Sequence, residues 1–300
     1  MRWETKVIGV RPQPSTRRET SLGTGQTDTA GATMQVQLAS GETLRADIVI
    51  AADGARSTIR RHYNASASAG GLDYAGVAIV SGVSQFPSPE DVPQRIRACW
   101  GLVISGTGTG LFVSPVDNTS ALWSLSYYTE ERVEDRRWPM SNDVLEKLMA
   151  KAKELASSFD GTVNELVDKT NLATLMQLSA MDRPAFAHHV QRDGNVVWLG
   201  DANHAVSPFA GNGANLALND GWDFAEALLT TSTGFEGAVK SYDKDAMPRA
   251  QQTRKMSRWV IDFAHATGWK LWVYLFLLRV MSWVFLRGNR KVQTQKERAD

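Results

Sequence analysis

Val196–Val197–Trp198–Leu199–Gly200–Asp201–Ala202–Asn203–His204–Ala205 runs on through Val206–Ser207–Pro208–Phe209–Ala210–Gly211–Asn212–Gly213–Ala214–Asn215. An apolar run ends abruptly in Gly–Asp, the pattern of a buried parallel strand leaving its sheet. Pro208, Gly211 and Gly213 then fix or free the backbone of a loop. Leu218, Trp222, Ala225 and Leu229 follow at the spacing of one apolar helix face. The order strand, acid, glycine-rich loop, helix is that of a ligand site at the carboxyl end of a strand, where helix N-termini favour anionic groups. Asp201 has two readings: an acceptor for ligand hydroxyls such as those of a ribitol or ribose, or a local cap of an ordinary βα turn. The N–H groups around Gly213, Ala214 and Asn215 are suited to an electron-rich oxygen or ring.

A second stretch has the same grammar. In Asp47–Ile48–Val49–Ile50–Ala51–Ala52–Asp53–Gly54–Ala55–Arg56–Ser57 a β-branched run ends in Asp–Gly, and Ser57–Thr58 opens a helix. Taken alone, Asp–Gly after a strand marks a tight turn.

Together the two stretches resemble the flavin-dependent aromatic hydroxylases, the para-hydroxybenzoate hydroxylase family, and within it the salicylate-hydroxylase-like and tetracycline-destructase-like branch. Gly200–Asp201–Ala202–Asn203–His204 with Pro208 to Asn215 is similar to that family's second FAD motif. Asp53–Gly54–x–Arg56–Ser57 is similar to its Asp–Gly motif between FAD and the nicotinamide route. The resemblance implies that Asp201, beside Gly200, holds the FAD ribitol. Gly211, Gly213, Ala214 and Asn215 would lie along the flavin pyrimidine edge. Asp53, Gly54 and Arg56 would support the cofactor, and Pro208 and Phe209 would approach the substrate. Asn203 departs from the alanine usual in the family.

Between the motifs, Gly76 to Val83 reads as a strand. Leu111 to Ser114 and Ala121 to Tyr128 flank a Pro115–Val116–Asp117–Asn118 turn, a hairpin signal. By resemblance this sheet covers the flavin, with Phe112, Trp123, Leu125 and Tyr127 as candidate substrate walls; the alternative is that they pack the sheet on its helices. Upstream, Thr5 to Val10 reads as a strand, Arg11 to Ala32 as a polar loop, and Met34, Val36 and Leu38 as the inner side of a ribbon. A helix with Val144, Leu148, Ala152 and Leu155 on one face follows Ser141–Asn142, and a second surrounds Val163, Leu166 and Val167.

Composition excludes several classes. A net charge of +1 gives no global field for nucleic acid. The single Cys99 forms no internal disulfide, pointing to a reducing compartment or to no need of one. His62, His188, His189, His204 and His265 show no metal spacing, so no metal site is expected. No apolar signal segment opens the chain, and a cytoplasmic protein is expected.

Gly268 to Leu286 is dense in apolar and aromatic residues but carries Lys270 and Arg279. An arginine near the middle of a span costs about 2.5–3.5 kcal/mol on insertion scales. A docked helix, an interfacial helix and a membrane span are the three readings, so membrane association through this stretch is open.

The expected fold is α/β (α+β), a Rossmann-like FAD-binding domain with an inserted antiparallel substrate-side sheet and a C-terminal helical segment. Residues 1–73 and 186–250 would form the FAD part, 74–185 the substrate side, and 251–300 the tail. No strand–Gly–x–Gly–x–x–Gly–helix element is present. The expectation is therefore a chain lacking the first βαβ unit, with an incomplete pocket, and a separate N-terminal fragment as one source of the remainder. The resemblance implies NAD(P)H-driven hydroxylation of an aromatic or polyketide-like small molecule by O2 through a flavin C4a-hydroperoxide. No catalytic side chain is required for it. Two alternatives stand beside that reading: a non-catalytic remnant without FAD, and a flavin oxidase or epoxidase.

Overall fold

The computed structural model describes residues 2–13, 33–63 and 71–296; most of the Arg11–Ala32 segment read as a polar loop lies outside them. The strands are β1 (Val7–Pro12), β2 (Met34–Leu38), β3 (Thr43–Ala46), β4 (Val49–Ala51), β5 (Asp73–Gln85), β6 (Gly101–Ile104), β7 (Thr109–Pro115), β8 (Ser120–Tyr128), β9 (Met176–Asp182) and β10 (Val196–Trp198). The helices are α1 (Thr58–Tyr63), α2 (Gln94–Arg97), α3 (Asn142–Ala156), α4 (Gly161–Asp168), α5 (Val190–Asp193), α6 (Asp201–His204), α7 (Gly213–Thr230), α8 (Gly234–Ala264) and α9 (Gly268–Lys296). The chain divides into two compact units, Met1–Ala75 with Met181–Arg258, and Gly76–Ala180 with Trp259–Asp300.

In the first unit β4 and β10 pair in parallel, Val49 opposite Val196 and Ala51 opposite Trp198. All of β10 is buried. Val196 and Trp198 join Val49, Ala51, Ile59 and Ala202 on one side of the pair. Val197 and Leu199 join Phe224, Val239 and Tyr242 in a second cluster. Burial on both sides is why β10 reads as a continuous apolar run instead of an alternating one. Strands β1, β2 and β3 form an antiparallel ribbon, with Met34 and Leu38 inward as their alternation predicts.

Helix α7 corrects the apolar face expected from spacing. Leu218, Trp222 and Leu229 are 73%, 73% and 87% exposed, and the buried side is Leu216, Asp220, Phe224 and Ala227. An acid occupies the middle of the true inner face, so hydrophobicity alone selects the wrong one.

The second unit holds a five-stranded sheet in the order β6-β7-β8-β5-β9, antiparallel from β6 through β5. The β7–β8 hairpin turns through Val116–Thr119, where Asp117 Oδ1 accepts the Thr119 N–H at 2.8 Å. Leu111, Val113, Trp123 and Leu125 pack with Leu145, Leu148, Leu155, Val163 and Leu166 of α3 and α4. Trp123 is wholly buried, and its Nε1–H donates to Thr170 Oγ1 at 3.0 Å. It sits opposite Gly82, where any Cβ would come within 3.0 Å of the indole. Of the two readings given for Trp123, this is the one in which it packs the sheet on its helices: its ring is core, held by a glycine-made recess. Phe112 is half-buried, with its ring 6.2 Å from that of Trp100.

Candidate functional site

Parallel pairing carries the two motifs to the same end of one strand pair. Trp198 lies beside Ala51, Leu199 N–H donates to Ala51 O at 3.0 Å, and each strand then releases its acid, Asp53 or Asp201. Residues far apart in sequence thus come together at the carboxyl ends of neighbouring parallel strands, where α/β sheets bind ligands.

Gly200 makes the turn possible. Its φ is 56°, and an added Cβ would lie 2.7 Å from Cβ of Ala217 on α7. Both the left-handed backbone and the helix contact demand glycine. Gly200→Ala is expected to lower stability by about 1–3 kcal/mol, read as a fall in Tm on thermal unfolding.

Asp201 begins α6 without capping it, and its carboxylate accepts no hydrogen bond among the described residues. That removes the local-cap reading. Burial pushes its pKa above the ordinary carboxylate value, and the charge of His204 offsets part of the rise. An acid at a strand end with its acceptor capacity unspent is suited to ligand hydroxyls. Further along, the turn Pro208–Ala210 ends in Gly211 at φ 62°, and α7 starts at Gly213 with no side-chain cap from Asn212. The first N–H groups of a helix have no intrahelical acceptor, so Gly213, Ala214 and Asn215 offer donors beside the loop. Val206 crowds Gly213, where a Cβ would sit 3.3 Å from its Cγ2. Pro208 is exposed and Phe209 half-buried.

The Asp–Gly motif has a structural duty as well. Asp53 Oδ2 accepts N–H from Thr58 at 2.7 Å and from Ile59 at 3.1 Å, capping α1. Gly54 has φ 78°, and Arg56 is exposed.

Several residues behind the loops escaped sequence reasoning. Buried Arg60 donates to Ala202 O and to Ala55 O, tying the two motif loops together. Burial and the nearby Arg183 bring its pKa down to about 10. Asp220, wholly buried, accepts the Gly200 N–H at 2.9 Å and pairs with Arg249 at 2.9 Å. His204 Nε2 lies 2.7 Å from Asp220 Oδ2, and Arg249 reaches on to Asp223 at 2.7 Å. Burial alone would raise the Asp220 pKa, but His204, the Gly200 N–H and Arg249 together hold it below the ordinary value. Asn203 exchanges two hydrogen bonds with the Phe186 backbone, both 3.0 Å. This gives the departure from alanine at that position a use. The available signal was Asp220 itself, an acid four residues from both Leu216 and Phe224. Nothing in the spacing marks Arg60.

Comparison with known proteins identifies the fold and the family. A family model described as FAD binding domain matches residues 9–257. The chain is 35% identical over 227 residues to the monooxygenase cfoF of Aspergillus candidus, covering 75% of this chain and 52% of that one. It is 23% identical over 247 residues to a salicylate hydroxylase of Pseudomonas putida, covering 77% and 55%. The chain spans about half the length of the curated relatives it matches. Among solved structures, Klebsiella pneumoniae HpxO complexed with FAD and uric acid aligns at a TM-score of 0.67 and 18% identity, over 91% of this chain and 61% of that one. At that identity the likeness speaks for the fold. With the family model covering most of the sequence, the chain belongs to the FAD-binding-domain family, that of the FAD-dependent aromatic hydroxylases and monooxygenases.

Proposed function

We propose that this chain contributes the ribitol- and flavin-edge side of an FAD site in a monooxygenase acting on an aromatic or polyketide-like small molecule. The observation that carries the reading is the Asp201 carboxylate, which accepts no hydrogen bond among the described residues and stands between a glycine-forced strand exit and the first N–H groups of α7. In this reading Asp201 accepts hydrogen bonds from the ribitol hydroxyls, and the Gly213, Ala214 and Asn215 amides face the pyrimidine edge. Gly200 and Gly211 keep the backbone shape, while Asp53, Gly54 and Arg56 support the cofactor side. Pro208 and Phe209 face the substrate, and Phe112 is kept as a substrate-side candidate. FAD, when bound and reduced by NAD(P)H, supplies the activation of O2, and the protein supplies position and electrostatics. The net reaction joins one oxygen atom of O2 to the substrate and releases the other as water. Two electrons and a proton come from NAD(P)H and a second proton from solvent.

The test is an absorption spectrum of the purified, desalted 300-residue protein, alone and after FAD is added. Flavin absorption bands that persist through a second desalting are the expected result. A protein that stays colourless would overturn the reading in favour of a non-catalytic module. In a flavin-loaded sample, NADPH-dependent oxygen uptake should yield an oxygenated aromatic product. Peroxide without such a product would mark an oxidase instead.

A further inference from the structure

Helix α9 carries a surface that an FAD site does not explain. Its first turns are seated: Tyr274 meets Trp259 and Phe263 edge-on, with ring centroids 6.0 and 5.3 Å away, and Leu271 lies against Gly106. From Leu275 to Trp283 every residue is exposed, including Phe276 at 65%, Met281 at 66% and Trp283 at 54%. A run of large apolar side chains this exposed marks an interaction surface. At helical spacing Trp269, Trp272, Phe276 and Trp283 share one side with Arg279, away from the side seated by Leu271 and Tyr274.

Charge names the occupant. Gly268–Lys296 contains Lys270, Arg279, Arg287, Arg290, Lys291 and Lys296 and no acidic residue. The other 271 residues hold 27 basic and 32 acidic groups, so positive charge is concentrated on this helix. Among the described residues no helix is long and apolar enough to cross a membrane. Arg279 stands near the middle of the apolar stretch, where the hydrocarbon centre is the costliest place for a charge. Tryptophan and arginine on one face both settle at headgroup level, the arginine stem lying along apolar surface with its guanidinium in the polar layer. We propose that α9 lies in the interface of an anionic lipid bilayer, its aromatic side down, and holds the protein there as a peripheral attachment.

The experiment is flotation of the full chain with vesicles of phosphatidylcholine alone and with about 30% phosphatidylserine, at low salt and at about 0.5 M salt. Binding at least tenfold stronger to the anionic vesicles, weakened by salt and reversed by alkaline carbonate, is expected. The triple variant Trp272→Ser, Phe276→Ser, Trp283→Ser should abolish it. Arg287→Gln with Arg290→Gln and Lys291→Gln should weaken it roughly tenfold or more, as expected for juxtamembrane basic residues. The three aromatic side chains are exposed, and an unchanged thermal transition of each variant checks that the fold is intact. Equal binding to neutral vesicles, or none, overturns the proposal. Concentration-dependent dimers lost in the aromatic triple variant would show a second copy as the occupant. Carbonate-resistant, protease-protected helix would show a span. None of these readouts depends on flavin, so failure here leaves the FAD reading standing.

Discussion

Asp220→Ala will destabilise the first unit by about 3–5 kcal/mol, the cost of removing one partner from a buried ionic cluster. Three groups lose their acceptor together: the Gly200 N–H, the Arg249 guanidinium and the neighbouring His204. Arg249 retains Asp223, which lies half-exposed, so the loss concentrates at the Gly200 turn. Asp220→Asn keeps an acceptor for the glycine amide but not the charge, and should fall between wild type and alanine. The Asp220 pKa is depressed in the folded state. Its stabilisation is therefore complete above the unfolded carboxylate value of about 3.9 and disappears as pH falls through the lower folded value. Chemical denaturation at neutral pH and at successively more acidic pH should show the wild-type advantage over Asp220→Asn shrinking along that path. A constant difference between the two would assign the residue a purely steric role.

Asp201→Ala tests ligand binding instead of folding. The side chain accepts no hydrogen bond among the described residues, so its loss should leave Tm nearly unchanged. Hydrogen bonds to a charged acceptor contribute about 1.5–3 kcal/mol each, so FAD affinity should fall by on the order of 10- to 100-fold or more. Flavin fluorescence titration of the two proteins measures it. Protonation removes an acceptor, and the pKa of this acid is raised. Wild-type affinity should accordingly weaken on acidification sooner than for an ordinary carboxylate, and Asp201→Asn should flatten that dependence. Unchanged affinity in Asp201→Ala would remove the ribitol assignment while leaving the fold and family untouched.

The strand exits at Asp53 and Asp201 were legible because two apolar runs each ended in glycine or aspartate and matched the family's motifs in order, where either run alone read equally as a turn. The β7–β8 hairpin was equally plain, its turn residues standing between two alternating runs. What spacing misjudged on α7, and what resemblance left open on β8, have one reason. On α7 the inward face holds an ionised acid, and on β8 the aromatic at position 123 fits beside a glycine on the neighbouring strand. Each depends on a partner distant in sequence, Arg249 in one case and Gly82 in the other. Arg60 is the same lesson at the site, since a cation bonded to backbone carbonyls leaves no signature in its neighbours.

The parallel register of β4 and β10 also dictates an order of assembly. Val49 must wait for Val196, with the whole of Gly76–Ala180 emerging from the ribosome in between. Closing so long a loop before any contact rewards it is slow, whereas β6, β7 and β8 pair in chain order, with α3 and α4 next. The sheet with its α3 and α4 covering should therefore gain structure during synthesis. Meanwhile Val49–Ala51 stays without its β10 partner, an apolar strand exposed on the nascent chain.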